Sequence, residues 1–327
     1  MSEILQVKNL SVEFDTYAGR IQAVRGISFG IREKKVTAIV GESGCGKSVT
    51  SKAIMGLIQK PGKIAPESRI LFRGEDILRY TEKQWESFRG QKCSIVFQDA
   101  LTALNPTMNI GRQITEKIRV HRKTGKKEAW QEGIHMLEQV RIPHAAMRMK
   151  QYPHEFSGGM RQRAMIAIAL TLHPELLIAD EPTTALDVTI QADILDMMKE
   201  IQRSQGMTII LITHDLGIVA DLAQDIIVMY AGKVVEKGSA EDIFYHPAHP
   251  YTEALLRAVP RLDVSGGRLE TIEGAPPNMA DPPSGCPFAD RCKKKLPVCA
   301  KRFPEETDLT KGHHVCCWLQ KEKDDDR

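Results

Sequence analysis

The segment Gly41-Glu42-Ser43-Gly44-Cys45-Gly46-Lys47-Ser48 has the residue types and the spacing to bind phosphate groups. An apolar run, residues 36–40, precedes it, and apolar residues at helical spacing follow it over residues 49–58. Strand, glycine loop and helix in this order are the setting that the pattern G-x-x-x-x-G-K-S/T requires. Glycines let the backbone turn tightly and direct N–H groups at phosphate oxygens, beside the positive end of a helix dipole. We therefore expect a nucleoside triphosphate site here.

Two side chains of this loop are expected to contact the phosphates and Mg²⁺ directly. Lys47 should contact the β- and γ-phosphates, and the Ser48 hydroxyl should bind Mg²⁺. A glycine-rich turn with a solvated lysine is the alternative, and the flanking strand and helix argue against it. The expected nucleotide contacts in this segment are Ser43, Gly44, Cys45, Gly46, Lys47, Ser48 and Val49. As side chains, Cys45 and Cys93 are both explained as small buried hydrophobes.

Polar side chains follow two apolar runs further along the chain. Residues 176–179 lead to Asp180 and Glu181, and residues 208–213 lead to His214. All-apolar strands are typical of a buried parallel sheet, whose carboxyl ends bind ligands. We expect Asp180 to interact with Mg²⁺ without being one of its direct ligands. We expect Glu181 to polarise the attacking water. Exposed acids at a strand end and a structural histidine are the alternatives.

The turn Ser157-Gly158-Gly159 opens a predicted helix that extends to residue 172. Its free N–H groups and its dipole could receive an anion. Ser157 could be a simple helix cap, but the two glycines after it suggest close approach to a ligand. Gln98 ends a short predicted strand, residues 95–98.

An antiparallel sheet is predicted from alternating apolar and polar residues over residues 1–35. An aromatic side chain of this sheet could stack on the adenine ring. Phe14 is the first candidate and Tyr17 the second. Plain core packing of Phe14 is the alternative.

Length and composition limit the possible functions. The chain has 327 residues, 42% hydrophobic and 27% charged, as in a globular protein with one large domain and an appendage. Its net charge of +3 is too small to predict a nucleic acid partner. With no apolar run of about 18 residues and no secretory signal pattern, we expect a cytosolic protein. Most of its 7 cysteines lie near the C-terminus, which suggests a metal more than disulfides.

Taken in order, these motifs resemble those of the ATP-binding subunits of ABC transporters, over roughly residues 4–240. The resemblance rests on the phosphate loop, Gln98, the Ser157–Gly159 turn, Asp180-Glu181, Ala185-Leu186-Asp187 and His214. It implies a head-to-tail dimer that encloses two ATP molecules with Mg²⁺, each between the phosphate loop of one subunit and the Ser157–Gly159 turn of the other. It also implies that Gln98 is an Mg²⁺ ligand. Gln98 would in addition link Mg²⁺ and the lytic water to the surface that contacts the membrane subunits of the transporter. His214 would hold the γ-phosphate, and Asp187 would communicate across the dimer.

One residue departs from the usual pattern of this family. Met160 follows the two glycines where glutamine is common. The form Ser-Gly-Gly-Met-Arg-Gln resembles that of one of two related ATP-binding subunits in peptide importers. This implies a heterodimer with a paralogous ATP-binding subunit, two membrane-spanning permease subunits and an extracytoplasmic solute-binding protein. The chain would then lie peripherally on the cytoplasmic face of the membrane.

The C-terminal part resembles the tail of oligopeptide, dipeptide and nickel importers. The matching segments are His249-Pro250-Tyr251-Thr252, Gly285-Cys286-Pro287-Phe288 and Arg291-Cys292. No C-x-x-C pair occurs, so zinc-ribbon spacings fail, whereas four thiolates are compatible with a [4Fe-4S] cluster. Cys286, Cys292 and Cys299 would be ligands, and the resemblance points to Cys317 as the fourth, with Cys316 left open. Free buried thiols are the alternative.

The predicted fold is α/β: an ABC-type phosphate-loop ATPase core with an antiparallel β-subdomain and a helical subdomain, plus a small cysteine-rich tail. The core is assigned to residues 1–240, its helical part to about 99–172, and the tail to residues 241–327. The predicted function is ATP hydrolysis coupled to peptide import, with a nickel importer ATPase as the alternative within the family. A soluble chromosome- or repair-type ATPase is a rival, but sustained heptads are missing between Lys47 and Ser157. A non-hydrolysing regulatory or redox module is the other rival, and the intact Lys47 and Glu181 argue against it.

Overall fold

The structure of the chain, a computed structural model, describes residues 2–17, 19–184, 186–258 and 271–324. Its strands are β1 (Glu3–Thr16), β2 (Gly19–Arg32), β3 (Val36–Val40), β4 (Gly62–Ile64), β5 (Arg69–Phe72), β6 (Glu75–Asp76), β7 (Cys93–Val96), β8 (Leu176–Asp180), β9 (Thr208–Thr213), β10 (Asp225–Tyr230), β11 (Lys233–Ser239), β12 (Thr307–Thr310) and β13 (His313–Val315). Its α-helices are α1 (Lys47–Ile54), α2 (Glu82–Gln91), α3 (Ala100–Ala103), α4 (Ile110–Arg122), α5 (Lys126–Gln139), α6 (Ala145–Arg148), α7 (Gly158–Leu170), α8 (Val188–Gln205), α9 (Leu216–Leu222), α10 (Ala240–Tyr245), α11 (Pro250–Arg257) and α12 (Trp318–Asp324). Among these residues, no helix combines the length and the apolarity needed to cross a membrane.

The chain divides into two compact units. The first comprises Met1–Leu78 and Ile212–Arg327, and the second comprises Arg79–Leu211. The described residues after 240 therefore belong to the same unit as the phosphate loop. The predicted domain boundary at residue 240 stays a prediction.

The first unit contains the predicted antiparallel sheet. The alternating segments of residues 1–35 form two long strands, β1 and β2, which pair along their whole length. Strands β4 and β5 also pair antiparallel with β1. Strand β1 buries its apolar residues from Ile4 to Val12, while the polar residues between them are half-buried or exposed.

A second set of strands in this unit carries the phosphate loop. Strand β3 is buried at every position and pairs in parallel with β10. Strand β10 pairs antiparallel with β11 through the tight turn at Ala231 and Gly232. Strands β13 and β12 of the C-terminal part continue the sheet beyond β11. The tail is therefore part of the sheet.

An aromatic cluster fixes the tail against the strands. The ring of Tyr251 in α11 lies 4.6 Å from the Tyr230 ring of β10 and 5.3 Å from the Phe288 ring, centroid to centroid. All three side chains are buried, within a cluster that also includes apolar residues of β3, β10 and β11. Burying aromatic side chains of this size dominates the energetics of such a contact. The tail therefore packs firmly on the strand that leads into the phosphate loop.

The second unit combines a buried parallel strand pair with helices. Strand β7 pairs in parallel with β8, and β8 is buried at every position. Helix α7 ends with its Ile168 and Ala169 carbonyls accepting hydrogen bonds from the Lys117 ammonium of α4, at 2.7 and 3.0 Å. Burial lowers the pKa of Lys117 to about 8. A cation at this end of a helix satisfies carbonyls that lack helical partners.

A buried polar cluster connects strand β11 with the tail. The Glu236 carboxylate accepts hydrogen bonds from the backbone N–H groups of Ala248 and His249, at 2.7 and 3.0 Å. It also contacts Nε2 of His313 at 2.8 Å. Nδ1 of His249 accepts a hydrogen bond from the backbone N–H of Tyr251 at 3.0 Å. Burial lowers the pKa of His249 to about 4, which keeps Nδ1 free of a proton and able to accept.

We expect His249 to make the fold sensitive to acid. The unfolded chain binds a proton at this side chain near pH 6.5, and the folded chain only near pH 4. The free energy of unfolding should therefore fall as the pH is lowered from about 6.5 to about 4, by up to about 1.4 kcal/mol per pH unit. Denaturant unfolding at several pH values, compared between the parent and His249→Asn, measures this contribution.

The asparagine variant keeps an oxygen that can accept the Tyr251 N–H but cannot titrate in this range. His144→Asn, at an exposed position, is the control and should keep the parent profile. Identical pH profiles for the parent and His249→Asn would show that His249 is not held neutral in the folded protein.

Candidate functional site

The phosphate loop joins β3 to α1 and is built around Lys47. The Lys47 side chain is 5% exposed, and its ammonium donates hydrogen bonds to the Gly41 carbonyl at 2.7 Å and the Glu42 carbonyl at 3.0 Å. Gly46, directly before the helix, has a φ of +102°, and a Cβ there would lie 2.5 Å from the Ala23 carbonyl oxygen. This position therefore needs glycine.

Helix α1 begins at Lys47, two residues earlier than the sequence predicts. Its first-turn N–H groups consequently belong to Lys47, Ser48 and Val49, which lack helical acceptors. Ser48 and Val49 are half-buried, whereas Ser43 and Gly44 are exposed on the loop. Cys45 is buried, and burial raises the pKa of its thiol. Solvent thus reaches the loop at Ser43 and Gly44, while Cys45 and Lys47 are buried.

The C-terminal part holds the loop through Glu42. The Tyr251 hydroxyl accepts a hydrogen bond from the Glu42 backbone N–H at 2.9 Å. The Arg291 guanidinium donates to Glu42 Oε2 at 2.8 Å and to the Tyr230 hydroxyl at 3.0 Å. Sequence patterns give no signal for these contacts, because Tyr251 lies 209 positions from Glu42.

In the second unit, the structure brings Gln98 and Glu181 together. Gln98 lies just beyond β7, which ends at Val96, and its Nε2 donates to Glu181 Oε2 at 2.8 Å. The Thr184 hydroxyl donates to the same oxygen at 3.0 Å. Glu181 has a φ of +48°, a left-handed backbone conformation that glutamate rarely adopts. Such strained positions cluster at functional sites.

Asp180 occupies the last position of β8 and is 6% exposed. The acids therefore differ in setting: Asp180 is buried at the strand end, whereas Glu181 is half-buried in the following turn. Acids at the carboxyl end of a buried parallel strand match the expected position of ligand-binding groups.

Ser157 caps helix α7, as its hydroxyl accepts a hydrogen bond from the Met160 N–H at 3.4 Å. Gly159 is buried, and a Cβ there would lie 2.7 Å from Cγ2 of Ile190 in α8. The close approach at Gly159 is therefore to the chain itself. Gly158 is exposed, and the nearest side-chain atom to a Cβ there would be Leu186 Cδ2 at 3.6 Å. Ser157 and Gly158 are the residues of this turn that a ligand could reach.

The remaining predicted site residues, His214, Phe14 and Tyr17, differ in their positions and in their exposure to solvent. His214 is exposed directly after β9, and the following Asp215 caps α9. Phe14 is half-buried in β1, opposite Ile21 of β2 and Gly62 of β4. Tyr17 is fully exposed.

The motif after Glu181 is described in part. Asp187 caps helix α8 through a hydrogen bond from the Ile190 N–H at 3.0 Å. Ala185, which the sequence places in the same motif, lies outside the described residues.

Comparison with known proteins identifies the family. Residues 24–184 match the family described as ABC transporter, and residues 235–299 match the oligopeptide/dipeptide transporter C-terminal region. The chain is 53% identical over 323 residues to the dipeptide transport ATP-binding protein DppD of Bacillus subtilis, covering 99% of this chain and 96% of that one. The chain belongs to the ATP-binding proteins of ABC transporters.

Other members and solved structures of this family agree. The oligopeptide transport ATP-binding protein OppD of Escherichia coli is 47% identical over 315 residues, with 96% of this chain and 93% of OppD covered. CbiO1 of Clostridium perfringens, part of the ABC transporter complex cbiONQ, is 30% identical with a TM-score of 0.63, covering 75% of this chain and 92% of that one. The ATP-binding cassette MJ0796 bound to ADP and Pi, at 23% identity, shares the fold with a TM-score of 0.65, covering 72% of this chain and 98% of that one.

These comparisons confirm the predicted family and the predicted α/β ATPase fold. They also confirm that the chain is an ATPase subunit of a transporter, an activity that uses ATP and Mg²⁺. The rival prediction of a soluble chromosome- or repair-type ATPase is therefore set aside.

The predicted cysteine ligands line one cavity, but their sulfurs do not form a compact ligand set. Cys286, Cys292, Cys299 and Cys317 line one small cavity of about 10 Å³, which Trp318 and other apolar side chains complete. In the described part of the chain, no three cysteine sulfurs lie within 4.8 Å of one another.

The prediction of an iron–sulfur protein is corrected accordingly. The relatives of this chain are transport ATP-binding proteins, and their family is not one of iron–sulfur proteins. Burial raises the pKa of the Cys286 thiol to about 12 and that of the Cys317 thiol to about 11, which favours protonated thiols. Cys286 and Cys299 belong to the buried cluster that includes Tyr251. These cysteines pack as small apolar side chains, and the redox-module hypothesis loses its basis.

Proposed function

We propose that this chain is the ATP-hydrolysing subunit of a membrane ABC importer of peptides. The observation that carries the proposal is the 53% identity to a dipeptide transport ATP-binding protein over 99% of the chain. The C-terminal match to the oligopeptide/dipeptide transporter region supports the same cargo class. The Gln98–Glu181 pair and the Lys47 loop supply the chemistry that ATP hydrolysis needs.

The proposed roles follow from charge and position. Lys47 binds the phosphates, with backbone N–H groups from Ser43 to Val49 around them. Ser48 and Gln98 would hold Mg²⁺, and Asp180 would interact with it without being one of its direct ligands. When bound, the ion would neutralise charge that develops on the phosphates. Glu181, fixed by its hydrogen bond from Gln98, accepts a proton from the attacking water.

The other predicted contacts complete a proposed shared site. His214 donates to the γ-phosphate, and Phe14 stacks on the adenine ring. The Ser157–Gly159 turn binds the nucleotide held by a second ATP-binding subunit. Ser157 and Gly158 are exposed, so a nucleotide on another subunit could reach them. We propose that the second subunit is a paralogue, since Met160 stands where such turns usually carry glutamine.

We also propose the remaining partners from the family. They are two membrane-spanning permease subunits and an extracytoplasmic solute-binding protein, which place this chain peripherally on the cytoplasmic face of the membrane. The relatives named for dipeptide and oligopeptide transport support this assembly.

Reconstituted uptake tests the proposed function. The transporter that contains this chain is purified with its partners and inserted into vesicles that enclose Mg-ATP or Mg-ADP. We expect a labelled dipeptide or short peptide, supplied with the solute-binding protein, to accumulate with ATP and not with ADP. Accumulation of labelled Ni²⁺ in place of peptide, or peptide uptake that is equal with ADP, would overturn the proposal.

A further inference from the structure

The tail holds two separate chemical groups of one loop residue, and the phosphate loop itself holds a third. The backbone N–H of Glu42 donates to the Tyr251 hydroxyl at 2.9 Å, and its carboxylate accepts from Arg291 at 2.8 Å. The Glu42 carbonyl, the third group, accepts from the Lys47 ammonium at 3.0 Å and from the Cys45 N–H at 3.3 Å. Glu42 therefore connects the tail directly with the lysine that is proposed to bind phosphate.

Both tail side chains are themselves rigidly held. Tyr251 is 0% exposed, and its ring packs on the rings of Tyr230 and Phe288. The Arg291 side chain is 6% exposed. Its Nε and second terminal nitrogen donate to the Glu273 and Ile272 carbonyls, each at 2.9 Å. Groups locked by packing and by further hydrogen bonds can fix a neighbour's position accurately.

We propose that Tyr251 and Arg291 are positioning residues for nucleotide binding, which act through Glu42 on the phosphate loop and on Lys47. The inference rests on the proposed function of that loop. A phosphate loop works by aiming its N–H groups and its lysine at phosphate oxygens, so a small displacement weakens binding. The C-terminal region thus helps to position the ATP site, in addition to contributing strands β12 and β13 to the sheet.

The two contacts reach the loop through different atoms, which makes them separable. Tyr251 acts on a backbone group that every residue at position 42 would have. Arg291 acts on a carboxylate that only the glutamate side chain provides. Their variants should therefore respond differently when the side chain of residue 42 is removed.

Binding of Mg-ATP to the full-length chain tests the proposal. Tyr251→Phe keeps the ring and its packing but leaves the Glu42 N–H without its acceptor, and should raise the Kd by about three- to tenfold. Arg291→Ala removes a charged hydrogen bond and should raise the Kd by about tenfold or more. Arg291→Lys, which keeps one charged donor, should recover part of the loss.

Matched controls come from the same part of the chain. Tyr245→Phe and Arg302→Ala alter exposed side chains that lie off the loop, and should bind Mg-ATP as the parent does. In a Glu42→Ala background, Arg291→Ala should have no further effect on the Kd, whereas Tyr251→Phe should keep its effect.

The outcomes separate this inference from the proposed function. If the parent does not bind Mg-ATP, both fail. If the parent binds and Tyr251→Phe and Arg291→Ala bind equally well, only the positioning role is overturned. A purely structural role is recognised by thermal unfolding: the variants would melt earlier while the folded protein kept the parent Kd, and this result would also overturn the inference.

Discussion

Replacing Glu181 with glutamine is expected to abolish ATP hydrolysis while leaving Mg-ATP binding intact. Loss of a positioned general base lowers the rate by about a hundred- to ten-thousandfold. Glutamine has the same shape and keeps a side-chain oxygen that can accept the hydrogen bonds from Gln98 and Thr184, at 2.8 and 3.0 Å in the parent. The local structure should therefore persist. With ATP bound and not hydrolysed, the dimer of ATP-binding subunits should accumulate.

Phosphate release and light scattering in the presence of Mg-ATP measure the two effects. Glu175→Gln is a matched control, because Glu175 directly precedes β8, at the end opposite to Glu181, and pairs with Lys92 at 2.7 Å. It should hydrolyse ATP at the parent rate and show no additional dimer. Turnover by Glu181→Gln at the parent rate would contradict the role proposed for this residue.

The phosphate loop was predictable because its signals are local. The glycine spacing, the apolar strand before it and the helix after it all lie within about twenty residues. The left-handed Gly46 directly before Lys47 is what starts the helix two residues earlier than apolar spacing suggests. Apolar spacing marks the face that packs, whereas the first turn of a helix is set by backbone conformation.

The conformation of Glu181 shows a limit of the same approach. The apolar run before Asp180 correctly predicts a buried strand, but no pattern indicates that the next residue adopts a φ of +48°. That value depends on the turn after β8 and on the hydrogen bonds from Gln98 and Thr184. Contacts between segments 83 positions apart are needed to determine it.

The structure of the C-terminal part was harder to predict from the sequence than either of these sites. Strands β12 and β13 are short and polar, and they form because β13 pairs with β11, about 75 positions earlier. The cysteine spacing is compatible with an iron–sulfur ligand set, and that prediction was wrong: the four thiols line one cavity without forming such a set. Spacing carries no information about how closely the sulfurs approach one another, and among the described residues no three of them lie within 4.8 Å of one another. Cysteine spacing also gives no sign of the hydrogen bonds that connect Tyr251 and Arg291 with Glu42.

Replacing Lys47 with alanine is expected to weaken Mg-ATP binding, with a rise in Kd of about ten- to a hundredfold. Lys47 is 5% exposed and its ammonium is a charged donor, so solvent screens its interaction with phosphate only weakly. Its removal also takes away the hydrogen bonds that the ammonium donates to the carbonyls of Gly41 and Glu42. Binding should therefore weaken through lost charge and through a less ordered loop. Titration of the full-length chain with Mg-ATP measures the change.

Lys52→Ala is the matched control, because Lys52 lies on the same helix, α1, and is exposed. It removes an equal charge from the same element, so any general effect of charge on ATP binding appears in both variants. We expect Lys52→Ala to bind Mg-ATP as the parent does. Equal Kd values for Lys47→Ala and Lys52→Ala would show that attraction by net charge, rather than the buried ammonium in the loop, holds the phosphates. The difference between the two Kd values therefore measures the contribution of one positioned ammonium group.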